Sequence, residues 1–260
     1  MVLQAAHLRT GRHGAMPGFP WRGHGAQSPR TWSRSCPDAA VAGKGRMCTM
    51  PTAPATAFTD AADTWNRRFE AGGYLFGTEP NAWLHERRGL LQPGQRVLSV
   101  ADGEGRNSVW LAQQGLSVDA FDISPVGVAK ARALAAERGV TVRFAVSDVD
   151  GFAWPAAAYD AVAAIFVQFA DPALRERLFA HIRASLKPGG LLLLQGYTPK
   201  QLEYKTGGPP FLAHLYTVPM LREVFADWDV LELHDYEAVI DEGAGHKGMS
   251  ALVGMVARRR

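Results

Sequence analysis

The chain predicts a doubly wound α/β domain, on three observations. Apolar stretches of strand length alternate with helical stretches from residue 96 onward. Runs such as Leu-Leu-Leu-Leu at 191–194 lack polar alternation, which suits strands covered by helices on both faces. A glycine-bearing turn at 101–105 leads from the first strand into a helix, the arrangement through which such sheets meet their ligands.

Residues 1–57 are rich in Gly, Pro, Arg, Ser and Ala and follow neither a 3.6-residue nor a 2-residue period. They read as a disordered basic extension without the apolar core of a secretory signal, and the domain is placed at 58–260. Order starts with a helix that Asp60 or Asp63 can cap and that Gly72 and Gly73 end. A second helix is expected from Pro80 to about Leu91, ahead of Pro93 and Gly94. Strands then follow at 96–101, 117–121, 141–146, 159–166 and 190–195, with helices at 107–114, 125–137 and 172–186.

Composition narrows the function classes. The net charge of +3 hides an asymmetry, because residues 1–50 hold seven Lys or Arg and one acid, Asp38. The remaining 21 basic and 24 acidic residues give the folded part −3, which leaves no basic excess for a phosphate backbone. Both cysteines, Cys36 and Cys48, precede residue 50, so the main body has no thiolate metal site, disulfide framework or cysteine nucleophile. No apolar run reaches membrane-spanning length.

The turn at 101–105 brings backbone N–H groups and a helix N-terminus toward a ligand. From Gly103 it reads Gly-Glu-Gly-Arg-Asn-Ser, so Ser108 stands where a dinucleotide fingerprint needs its third glycine. Asp122 closes the second strand 17 residues beyond Gly105, where a carboxylate can accept from both hydroxyls of a ribose. Asp122 can alternatively cap the helix beginning near Pro125, a task also open to Ser124. Asp148 follows the third strand, placed to accept from an adenine amino group. Together these fit an adenosine ligand without a pyrophosphate.

The stretches VLSVADGEGRN, FDIS, SDVDGF and LKPGGLLLL resemble motifs of the class I S-adenosylmethionine-dependent methyltransferases, over residues 60–258. WNRRFEAGGYLFGTEPNAWL and TGGPP resemble the subgroup of tellurite-resistance and thiol or thiopurine methyltransferases. The resemblance implies a Rossmann-like methyltransferase fold, mostly parallel and seven-stranded with an antiparallel last strand. DVLELHDYEAVI and GMSALVGMVARR become the sixth and seventh strands. It implies S-adenosylmethionine as cofactor, held by Ala101, Asp102, Gly103, Gly105, Asn107, Asp122, Ile123, Asp148, Val149 and Phe166. Two positions depart from the first motif: Ser99 stands where an acid is common, and Ala101 replaces the first glycine, adding a methyl near the methionine moiety.

Methyl transfer from a sulfonium needs alignment and desolvation more than a dedicated base. Acceptor determinants belong on the carboxyl edge of the sheet. Tyr74 and Phe76 are candidates for a lid, and Gln168 and Phe169 are expected to face the reacting methyl, where nucleic-acid amino methyltransferases carry Asn/Asp-Pro-Pro-aromatic. The long connection at 196–216 offers Tyr197, Lys200, Tyr204, Lys205 and His214, and DEGAGHKGMS offers His246 and Lys247. His246 (as base or anion ligand), Tyr197 and Gln168 are the candidate catalytic groups, without a metal. The function expected is a cytoplasmic methyltransferase for a small molecule, a thiol or a chalcogen oxyanion, with no nucleic-acid or membrane partner. Its rivals are a non-catalytic S-adenosylmethionine-binding regulatory module and a nicotinamide dehydrogenase, against which Ser108 argues.

Overall fold

Unbroken apolar strands can bury both faces only between two helical layers, and this decides the architecture. The computed structural model describes residues 61–260; the extension expected at 1–57 and both cysteines lie outside the described residues. Strands β1 (Arg96–Val100), β2 (Ser117–Asp122), β3 (Val142–Val146), β4 (Tyr159–Ile165), β5 (Leu186–Tyr197), β6 (Asp229–Asp241) and β7 (Lys247–Arg258) form one sheet in the order β3-β2-β1-β4-β5-β7-β6. β1 to β5 are parallel, and β7 lies between β5 and β6, antiparallel to both. The helices are α1 (Ala61–Phe69), α2 (Ala82–Glu86), α3 (Arg106–Gln113), α4 (Pro125–Glu137), α5 (Pro172–Ser185), α6 (Gln201–Tyr204) and α7 (Val218–Val224).

Alternate residues of one strand feed opposite cores. Leu98, Val162, Leu192 and Leu194 pack with Leu178 and Ile182 of α5 and Leu221 of α7. Their neighbours Val97, Ala161, Ala163 and Leu193 pack on the other face with Trp83 and Leu84 of α2 and Trp110 and Leu111 of α3. The sheet order reverses between β1 and β4, so the loops after those strands diverge and open a crevice at the carboxyl edge.

Most boundaries fall within one residue of the sequence expectation. Three departures have local causes. Asp63 sits inside the first turn of α1 rather than capping it, and α1 stops at Phe69, before the glycines; Asp60 lies outside the described residues. The second helix starts late, because Asn81 rather than Pro80 opens it by accepting a hydrogen bond from the Leu84 N–H at 2.9 Å; it then gives way to a 3-10 turn, Arg88–Leu90. The fifth strand begins at Leu186 rather than at residue 190: Tyr159 pairs with Leu186, the chain loops out, and pairing resumes at Ala161 and Leu191.

Candidate active site

The turn after β1 is held from inside by Asp102. Ser99 Oγ donates to Asp102 Oδ1 at 2.7 Å, the Ser108 N–H donates to the same oxygen at 3.2 Å, and Ser108 Oγ donates to Oδ2. Burial pushes the Asp102 carboxyl up, opposed by these hydrogen bonds and by Arg106. Ser99 and Ser108, the two residues that break familiar patterns, are thus partners of one carboxylate. Ala101 takes the left-handed conformation, φ 49°, that a glycine would adopt more easily. Gly105 (φ 91°) has no room for a side chain: a Cβ there would lie 2.7 Å from the Ala131 Cβ and 2.8 Å from its Cα. The close helix packing that a dinucleotide fold assigns to its third glycine therefore occurs here, against α4. Gly105 stands behind the turn, whereas it was expected to touch a cofactor.

In front of the turn lies a cavity of about 320 Å³. Ala101, Asp102, Gly103, Asn107, Asp122, Ile123, Asp148, Val149 and Phe166 all line it, as do Trp65, Phe69 and Phe76. Asp122 Oδ2 accepts the Gly103 N–H at 2.9 Å and Oδ1 accepts the Ser124 N–H at 2.8 Å. Ser124 is the residue that caps α4, its Oγ accepting from the Gly127 N–H at 3.0 Å, which leaves Asp122 directed at the cavity. Burial raises the Asp122 carboxyl to about 6, although the Ser124 and Gly103 N–H groups pull it down. Asp148 on the rim accepts from the Gly151 N–H through Oδ1. A buried carboxylate at the end of β2, a second acid after β3 and a narrow glycine turn make a donor set that fits an adenosine bearing a positively charged sulfur.

A second cavity of about 220 Å³ adjoins the first, and the two share Trp65, Phe76, Phe166, Phe169 and His246. Gly207 and Gly208 line it because no side chain fits between their backbone and Tyr197: a Cβ on Gly207 would lie 2.8 Å from the Tyr197 hydroxyl. That hydroxyl is buried without a hydrogen-bond partner among the described residues, and burial raises its pKa. His246 packs against the rings of Phe76 and Phe166, each with its centroid at 4.4 Å. Its Nδ1 lies 4.0 Å from Glu242 Oε2, beyond hydrogen-bond reach. Burial and Arg106 lower the His246 pKa while Glu242 opposes them, so the ring is neutral at neutral pH.

Other acceptor-side expectations are corrected by packing. Gln168 lines the second cavity, but its amide is fully used on the main chain: Oε1 accepts the Tyr197 N–H at 2.5 Å and Nε2 donates to the Tyr197 carbonyl at 2.8 Å. It clamps Tyr197 instead of facing a reacting group. Tyr204 and Lys200 bond Glu237 of β6, and Lys247 pairs with Asp241 at 3.3 Å, all away from both cavities. Tyr74 turns toward α4, its hydroxyl 3.4 Å from the Lys130 carbonyl, so of the two lid candidates it is Phe76 that lines the cavities.

A buried polar knot joins distant parts of the chain at the cavity edge. Arg106 pairs with Glu242 at 2.7 Å, both side chains under 10% exposed. Glu242 Oε1 also accepts from Asn81 Nδ2 and the Ala82 N–H, each at 3.0 Å. The Asn81 N–H donates to Asn107 Oδ1 at 2.9 Å, and the Gly245 N–H donates to the Leu75 carbonyl at 3.1 Å. Burial alone would raise the Glu242 carboxyl, but the Arg106 charge at 2.7 Å and the Ala82 N–H bring it down to about 2. Sequence reading missed Glu242, Arg106 and Asn81; an acid and an arginine beside glycines at two loop ends were the available signals.

Comparison with known proteins finds methyltransferases. A methyltransferase-domain family matches residues 97–190. The chain is 30% identical over 204 residues to a thiopurine S-methyltransferase of Pseudomonas paraeruginosa, covering 66% of this chain and 85% of that one. It is 33% identical over 168 residues to the ribosomal RNA small subunit methyltransferase C of Chromohalobacter salexigens, covering 57% of this chain and 50% of the relative, so it spans about half that protein's length. The crystal structure of TehB from Haemophilus influenzae shares the fold, with a TM-score of 0.58 at 18% identity over 76% of this chain and 67% of that one.

Proposed function

Because the chain belongs to the class I S-adenosylmethionine-dependent methyltransferases, we propose that it moves the methyl group of S-adenosylmethionine to a small molecule held in the second cavity, a thiol or a chalcogen oxyanion. The observation that carries this reading is the second cavity itself. At about 220 Å³, walled by aromatic rings and contiguous with the first, it admits a small acceptor and leaves little room for a polymer. We place the activity in the cytoplasm; separately, no helix among the described residues is long and apolar enough to cross a membrane.

In this reading Asp122 receives the ribose hydroxyls, Asp148 the adenine amino group, and the backbone of Ala101 to Gly103 the methionine part of the cofactor. The chemistry supplied by bound S-adenosylmethionine is a sulfonium methyl, taken by a nucleophile whose electron pair forms the new bond while the pair of the broken bond stays on the departing sulfur. The chain contributes alignment and a dry site. Phe76, Phe166 and Phe169 exclude water where the cavities meet, which strengthens every electrostatic contact there. His246, neutral and shared by both cavities, takes the proton of an acceptor thiol. Gln168 holds β5 so that Tyr197 forms the far wall.

The test is release of S-adenosylhomocysteine by the purified protein with a panel of aryl thiols, alkyl thiols, selenite, tellurite and small amines. Turnover with a thiol or a chalcogen oxyanion, and not with the amines, supports the reading. Tight cofactor binding with no product from any acceptor would point to a non-catalytic binding module.

A further inference from the structure

The two cavities differ in charge, and the difference bears on the acceptor. The first is lined by Asp102, Asp122, Asp148 and Asp150. Among the described residues, the second has no acidic residue on its wall and one permanent cation, Arg68. The other arginines lining these cavities are neutralised, Arg106 by Glu242 at 2.7 Å and Arg177 by Asp150 at 2.8 Å. Arg68 has no carboxylate partner among the described residues. Arg68 is exposed, and its guanidinium carbon lies 4.4 Å from the Trp65 ring centroid and 6.0 Å from that of Phe76.

We propose that Arg68 is a specificity residue that binds an anionic substituent of the acceptor, so that the preferred substrate is a flat aromatic thiol carrying a carboxylate or comparable oxyanion. The proposal rests on the small-acceptor reading above. A guanidinium beside an aromatic wall offers a planar fork of donors that matches a carboxylate, and the Trp65 ring within cation–π distance favours its staying at the cavity mouth. The rings of Phe76, Phe166 and Tyr197 give the flat body of such a ligand its contact surface. An amine acceptor would meet the same rings but would face an uncompensated positive charge.

The experiment compares kcat/KM for 4-mercaptobenzoate and 4-methylbenzenethiol, which differ in the para substituent, in the wild type, Arg68→Met and Arg67→Met. Arg67 neighbours Arg68 but lines neither cavity. The expected result is about a tenfold or greater preference for the carboxylate in the wild type and in Arg67→Met, lost in Arg68→Met through a fall for that thiol alone. Equal rates in the wild type, or an equal fall for both thiols in Arg68→Met, would overturn it. If neither thiol is methylated, the acceptor reading fails, and calorimetric titration of the S-adenosylhomocysteine-saturated protein with the same two thiols decides Arg68. Tighter binding of the carboxylate that Arg68→Met abolishes upholds the assignment, and indistinguishable binding removes it.

Discussion

Asp122 accepts one backbone N–H at each carboxylate oxygen and still faces the cavity, so each oxygen keeps a lone pair for a ligand hydroxyl. That geometry makes cofactor binding sensitive to acid. Burial lifts this carboxyl to about 6, so the unliganded protein binds a proton there as pH falls through 6, and the protonated oxygen loses acceptor capacity. The dissociation constant for S-adenosylmethionine should therefore rise between pH 7 and 5, and Asp122→Asn should flatten that dependence while weakening binding at pH 8. Asp122→Ala should cost about 1.5 to 3 kcal/mol of affinity by calorimetry. His246 answers a different assay. His246→Ala should lower turnover on the best acceptor about 10²-fold if the imidazole is the base, with cofactor affinity nearly unchanged. Normal turnover in that variant would leave catalysis to alignment alone. Asp122 was legible in the sequence because a strand end points its last side chain at the crevice. Gln168 was misread because which way an amide turns depends on the backbone opposite, here the Tyr197 peptide of β5.

Helix α3 approaches α4 closely enough that Gly105 touches Ala131, so Gly105→Ala should destabilise by about 2 to 4 kcal/mol, from overlap plus the left-handed backbone. Denaturant titration measures it, and Gly103→Ala, whose Cβ would meet the Phe69 ring at 3.2 Å, should cost less. The β6–β7 turn and the segment between α1 and α2 are joined by Glu242. Glu242→Gln leaves Arg106 buried without its counter-charge, a loss of about 3 to 5 kcal/mol at neutral pH. The sign of its pH dependence follows from a folded-state pKa near 2 against an ordinary 4.5. The stabilisation is complete above about 4.5 and fades as pH falls toward 2, so wild type and variant should converge in acid. The strands were readable because their apolar runs are strand-sized and bounded by Gly or Pro. The Arg106–Glu242–Asn81 knot was not, since its members are far apart in sequence and follow no period. Tyr204 was misplaced for a related reason: the short helix α6 turns it outward to Glu237, and nothing local announces that turn.

Across the whole chain the charge is segregated, and residues 1–49 contain no core-forming period. A chain lacking them is expected to keep its melting temperature and its cofactor affinity; a markedly lower melting temperature would show that they contribute to the fold. The strand order has a further consequence. β7 completes the sheet by sliding between β5 and β6, and the turn that precedes it supplies Gly245 and His246 to cavities whose opposite wall comes from α1 and the segment after it. During synthesis, β1 to β5 can leave the ribosome and pair while the edge of β5 stays bare. Until β7 emerges, the nascent chain offers a long apolar strand edge to any neighbour, and until the turn before it is made the Leu75 carbonyl lacks the Gly245 N–H and Asn81 lacks Glu242. Such a nascent chain is a candidate for chaperone binding at β5, and on the proposed function methyl transfer should begin only once translation has passed β7.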